Sequence, residues 1–276
     1  LGSLTLGPDA SRYWLAGGGV RQARPFHLRW LLPTVCGQNL RAWWVVWLAS
    51  WPVAAAGMFA WQVQVVGWER AAAATVLLLG LPGVLGPRVV IPVGVDLPAT
   101  ALSLVGVALI QWGDPGGIMA GVFLIGWAST VKEQAPIWSA IWVWSPWPLV
   151  MLVVPAVRHL VARPAAEDPL GPKFTEIANH PVRTALAAHS GRWRDGWLMV
   201  APWGVCLAGL YRPDVRIMVT VAAAYALLLV ATDTVRLVQH AAGPVLAAAS
   251  AAVIPIEWLF LACVLHVVWW FKVERV

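Results

Sequence analysis

Charge is what this sequence has least of. Asp, Glu, Lys and Arg make up 12% of its 276 residues, while 60% are hydrophobic and the mean hydropathy is +0.72. A water-soluble domain carries roughly 25% charged residues, because it needs a polar surface. Half that supply cannot cover a globule of this size, so the remaining surface is expected to face lipid. Cysteine is nearly missing too: Cys36, Cys206 and Cys263 lie far apart and form no CxxC or Cys/His pattern, which leaves structural thiols as the reading. The six histidines have no metal-ligand spacing, so no metal site is expected. Also absent is a basic groove interleaved with stacking aromatics. The net charge of +6 is dispersed, which argues against nucleic acid and for topology and contact with anionic lipid. The start, Leu1 to Gly7, lacks a charged n-region, a long apolar h-region and an initiator Met. No cleavable signal peptide is expected there, and the chain could have lost something upstream.

What the sequence does have is tryptophan, 20 of them. Trp43, Trp44, Trp68, Trp112, Trp138, Trp258, Trp269 and Trp270 fall near the ends of apolar runs, where the indole suits the interface between headgroups and hydrocarbon, or helix packing. Apolar runs recur along the chain. Trp43–Val66 offers 24 uncharged residues, enough to cross a hydrocarbon core that needs about 20. Ala71–Leu85 stops at Gly86-Pro87. Leu97–Trp112 and Ile118–Val131 flank the turn signal Asp114-Pro115-Gly116-Gly117. Ala135–Val157 reads as another full span, and Gly196–Tyr211, Ile217–Thr232, Leu237–Ile256 and Trp258–Phe271 follow.

The expected fold is therefore all-α, a polytopic transmembrane bundle of about 8–9 membrane helices. An N-terminal interfacial segment around Pro25–Leu32 precedes them. Four regions follow from this: 1–42, interfacial and of extracytoplasmic type; 43–157, a first helix group; 158–195, a polar basic loop; and 196–276, a second helix group. No internal repeat emerges, which argues against repeat-built transporters.

Orientation is contested within the sequence. The positive-inside tendency places 158–195, with six Lys or Arg, in the cytoplasm. Five crossings back, 1–42 falls outside, yet it carries five arginines. Either one apolar run fails to span, or those arginines serve something other than topology. The second option is the one expected here.

Charges beside apolar runs are functional candidates, because they cost several kcal/mol inside a bilayer. They are Asp9, Arg29, Asp96, Lys132, Glu133, Asp233, Arg236 and Glu257; caps and interfacial salt bridges are the plain alternative. Asp9-Ala-Ser-Arg-Tyr13-Trp-Leu-Ala16, followed by Pro25-Phe26-His27-Leu28-Arg29-Trp30-Leu31-Leu32-Pro33, resembles the first extracytoplasmic loop of the GT-C superfamily of polytopic glycosyltransferases. Asp96-Leu97-Pro98-Ala99, Lys132-Glu133 and Asp233-Thr-Val-Arg236 ahead of Pro244 fit the same resemblance, in order, over about 240 residues. Members normally begin with a membrane helix before the acidic loop and are longer, so the resemblance is to a truncated or minimal member.

The resemblance implies a sugar transferred from a polyprenyl-phosphate donor, the lipid-linked substrate, to an acceptor at the extracytoplasmic face. The setting would be the plasma membrane of a prokaryote. It implies Asp9 as the base that takes the acceptor proton, or else an N-cap. Arg29, with Arg24 and His27 nearby, would stabilise the departing phosphate, or bind anionic headgroups. Asp96, Lys132 and Glu133 would bind substrate, with Lys132 and Glu133 turned to different partners. Asp233 and Arg236, three apart, suit a structural ion pair; simple alternation of spans puts them opposite Asp9. A transporter or lipid flippase and a non-enzymatic membrane subunit are the competing readings.

Overall fold

The computed structural model describes residues 8–22, 26–85, 93–165, 180, 182–187, 200–229 and 235–273. The fold is all-α, about 13 helices, with no strand among the described residues. Among the described residues one helix, α3 (Leu40–Val66), is long and apolar enough to cross a membrane; seven other apolar stretches are shorter. At about 1.5 Å per residue, the 27 residues of α3 reach about 40 Å. Asn39 starts it by accepting from the backbone N–H of Arg41 and Ala42. Those donors have no partner inside the helix, so the cap fixes where it begins.

α1 (Pro8–Gly17) and α2 (Leu31–Cys36) precede α3 and pack with its first turn. Between them, the expected interfacial helix over Pro25–Leu32 is instead a single 3-10 turn, Phe26–Leu28. Phe26 and His27 are buried in it.

From α3 the chain zigzags. α4 (Trp68–Leu79) runs back, stops at Gly80, and is followed by the four-residue α5 (Pro82–Leu85); the expected helix Ala71–Leu85 is thus two pieces. α6 (Asp96–Trp112) and α7 (Pro115–Val131) form a hairpin. Asp114 caps α7 through the Gly117 N–H at 2.8 Å, Pro115 fits the first turn, and Gly113 takes a left-handed conformation, φ 79°. The two helices cross at Gly106 and Gly121, where a Cβ on Gly121 would collide with the Gly106 carbonyl. Only glycine allows that approach.

The expected full span Ala135–Val157 does not exist. α8 (Ala135–Val143) ends after nine residues at Trp144, whose φ of 53° is the one positive value among described non-glycine residues. Ser145-Pro146 turns the chain. A 3-10 segment, Trp147–Leu152, leads into α9 (Val153–Val161), and this arm packs back along α7 and α8. Proline at 146 lacks the N–H a continuing helix would need, and the left-handed residue before it closes the end.

After the loop, a 3-10 stretch (Ala201–Leu210), α10 (Val215–Ala226), α11 (Val235–Val253) and α12 (Ile256–Val273) complete the bundle. α11 starts beside the Asp96 end of α6, since His240 Nδ1 lies 2.7 Å from Thr100 Oγ1. It finishes at the opposite end, where one Arg70 nitrogen bonds the carbonyls of Ala251, Ala252 and Ile254. The 3-10 stretch runs the same way, tied by Gln239 to the Pro202 carbonyl and by Ser250 to the Gly209 N–H. The main apolar core lies among α3, α4, α6, α8, α10 and α11. A smaller cluster, around Tyr13, Phe26, Trp43, Val95 and Val131, closes one end.

Because α8 turns back halfway, the described part of 1–42 and the start of 158–195 lie at the same end. Arg158 Nε donates to the His27 carbonyl at 3.5 Å and the Ala165 N–H to the Gln22 carbonyl at 3.0 Å. The expected opposition of the two basic stretches is overturned by this hairpin: one apolar run fails to span.

Candidate functional site

The closed end of the bundle gathers charged side chains from four separated stretches. On α1, Asp9, Arg12 and Tyr13 sit three and four residues apart and so share a face. Asp9 is the second residue of α1 rather than its N-cap, and it pairs with Arg12 at 3.9 Å. Arg29 follows the 3-10 turn, Asp96 stands in the first turn of α6, and Lys132 and Glu133 come directly after α7. Lys132 is extended, φ −146°, ψ 114°, which sends successive side chains apart. Lys132 accordingly pairs with Asp96 and Glu133 with Arg29.

Arg29 is fully engaged. Its Nε and Nη2 donate to the two Glu133 oxygens at 2.7 and 2.8 Å, a bidentate fork, and Nη1 donates to the Tyr13 hydroxyl at 2.9 Å. The Arg12 and Arg29 guanidinium carbons lie 5.0 and 5.1 Å from the centroid of the Phe26 ring, which attracts each of them.

These contacts set the protonation states. Burial pushes Glu133 up, but the Arg29 charge and its hydrogen bonds, with Lys132 beside them, hold the carboxyl below the usual carboxylate range. Burial works against the Arg29 cation and is outweighed by Glu133 and Tyr13, so its pKa is raised. Tyr13 is pushed up, by burial first. Arg29 opposes this, and the carboxylates of Asp9 and Asp96 reinforce it. The phenol is therefore a neutral hydrogen-bonding group within the electrostatic reach of both ion pairs.

Beneath Lys132 lies a cavity of about 20 Å³, lined by Thr100, Ser103, Lys132, Trp138 and His240 among others, with room for about one water molecule. Of the three carboxylates, Asp9 is the one most open to solvent, 31% exposed against 13% for Asp96 and 15% for Glu133.

Asp9, Arg29, Asp96, Lys132 and Glu133 are thus brought together. His27 is near but buried, its ring 5.6 Å from that of His159. Arg24 and Asp233 lie outside the described residues, as does the Arg236 side chain, so their assignments are not part of this geometry. The α11 backbone carrying Arg236 nevertheless begins at the site end, because α8 does not cross; the alternation that put it opposite Asp9 counts one span too many. Arg12, Tyr13, Thr100, His240 and Arg158 were not anticipated as site residues. Arg12 and Tyr13 were visible at helical spacing from Asp9, whereas the partnership of Thr100 with His240, 140 residues apart, has no local signal. Among the described residues, no group of three His, Cys, Asp or Glu side chains gathers to hold a metal. No family model matches the chain, and no curated protein or solved structure is detectably similar to it.

Proposed function

We propose that the chain is a polytopic membrane glycosyltransferase of GT-C type, moving a sugar from a polyprenyl-phosphate donor to an acceptor at the closed end of the bundle. The observation that carries this reading is the convergence of Asp9, Arg29, Asp96, Lys132 and Glu133, widely separated in sequence, on one end of an otherwise apolar fold. Charges so few and so costly beside hydrocarbon mark a site. In the proposed reaction Asp9 takes the acceptor proton, and the two tight pairs hold the surrounding backbone in place.

Membrane embedding is supported by the exposed stripe Met119, Phe123 and Trp127 on α7, and by Phe260 and Val264 on α12. Contiguous apolar surface of this kind faces lipid or a partner. Trp68, Trp112 and Trp258 are exposed at the end opposite the site, as an aromatic belt requires. Trp43 and Trp138 are buried and serve packing instead.

Asp9→Asn tests the reaction. Transfer should fall by about 10²- to 10⁴-fold, the share of a general base, with expression and unfolding temperature unchanged. Full activity in the variant removes Asp9 from the mechanism. The resemblance puts the site on the extracytoplasmic face, while two basic stretches sharing that end pull it toward the cytoplasm. Arg21→Cys settles the side: the position is exposed and the three native cysteines are buried. Labelling by an impermeant maleimide on intact cells is the outcome expected for an extracytoplasmic site.

A further inference from the structure

Among the described residues, three acids of the site (Asp9, Asp96, Glu133) stand beside three bases (Arg12, Arg29, Lys132). Arg29 in particular has its fork closed on Glu133 and its remaining terminal nitrogen on Tyr13. For Arg29 to grip an incoming phosphate it would have to leave the mostly buried Glu133 carboxylate without its counter-charge. A cation without such a partner suits a donor's phosphate better.

Arg158 is placed for this. It rises from α9 at the rim of the site, half-buried, with its guanidinium 5.6 Å over the Trp30 ring and its Nε toward the His27 carbonyl at 3.5 Å. The indole attracts the guanidinium without using up its donors, and a planar fork of this kind matches phosphate oxygens. Among the described residues no carboxylate pairs with it. His159, the next residue, is exposed and stacks near His27. On the outer side of the same helix Val153, Val157, Leu160 and Val161 are all exposed. Their spacing of four, seven and eight puts them on one face. A cation beside a bare apolar stripe is the complement of an amphiphile with an anionic head.

We propose that the phosphate of the lipid-linked substrate docks on Arg158 with His159 beside it, its hydrocarbon lying along the exposed face of α9, and that Arg29 is a positioning residue rather than a phosphate ligand. The inference rests on the substrate being a lipid-linked phosphate, but binding can be measured without any sugar transfer, so the two readings fail separately.

The test uses the full chain in neutral detergent, with farnesyl phosphate, farnesol and inorganic phosphate as probes in titration calorimetry. Farnesyl phosphate should bind, farnesol at least tenfold more weakly. Arg158→Gln should weaken farnesyl phosphate tenfold or more at an unchanged unfolding temperature. Arg158→Lys should recover part of the loss, since the charge returns without the fork. Leu160→Asn should weaken farnesyl phosphate while leaving inorganic phosphate unaffected, which separates a lipid phosphate from a free one. Asp9→Asn should bind farnesyl phosphate like the parent chain even where transfer is lost. Unchanged affinity in a folded Arg158→Gln variant overturns the assignment. Equal affinity for inorganic and farnesyl phosphate overturns the role of the α9 face.

Discussion

The two ends of the bundle use the same residue types in opposite ways. At the end away from the site, Asp114 and Asp214 accept from backbone N–H groups three residues on, at Gly117 and Ile217. Arg70 there closes the free carbonyls of α11. These are caps, local devices that end or begin a helix. At the site end, Arg29 reaches Glu133 across 104 residues and Lys132 reaches Asp96 across 36, and none of the four side chains caps its own helix. A cap costs little and stabilises one helix. A pair buried across the fold sacrifices hydration for a specific arrangement, and replacing such a pair with apolar residues often loses no stability. What the site end gains is placement, which is what the proposed reaction would need.

The largest test of that contrast is to break one long-range pair. Glu133→Gln leaves Arg29 buried without its counter-charge and should destabilise the fold by about 3–5 kcal/mol, read as a lowered unfolding midpoint in detergent. The double variant Arg29→Met with Glu133→Met should recover most of this while abolishing transfer. If the single and double variants lose equally, the pair stabilises the fold after all.

A smaller effect should follow acid. The Glu133 carboxyl is held below its unfolded value, so its contribution is fully present above the ordinary carboxylate pKa of about 4.3. It is lost as the pH falls through the lower folded value. Unfolding midpoints measured from pH 7 to 3 should drop in the acid range, and Glu133→Gln should remove that part of the slope. Arg29, raised further from an already high value, adds nothing in this window.

The smallest effect belongs to the capping end. Asp114→Ala should cost about 1 kcal/mol, the worth of an N-cap, and leave transfer unchanged. An activity loss comparable to that of Asp9→Asn would dissolve the distinction between the two ends.

Much of the fold was legible because its punctuation is strong. The 24-residue uncharged run Trp43–Val66 and Asp114-Pro115-Gly116-Gly117 between two apolar arms announce α3 and the α6–α7 hairpin, and both are present. Scarcity made the site legible as well: with so few charges, Arg29, Asp96, Lys132 and Glu133 stand out even though nothing local says which meets which. The pairings themselves depend on chain direction, which periodicity does not carry. The α8 hairpin was missed for a related reason. Trp144-Ser145-Pro146 lies inside a run as apolar as any span, so the turn leaves no mark on hydropathy, and the signal was the proline preceded by a small polar residue. Arg158 was read as part of a loop charge because that turn was read as helix.

Trp144 has a reach far beyond its own turn. Its left-handed backbone is part of what sends the chain home halfway, and so it decides at which end α9 finishes. Were residues 135–157 to straighten into one continuous rod, Arg158 would be carried to the far end and would leave the Trp30 ring and the His27 carbonyl. A single torsion thus holds a charge at the mouth of the molecule.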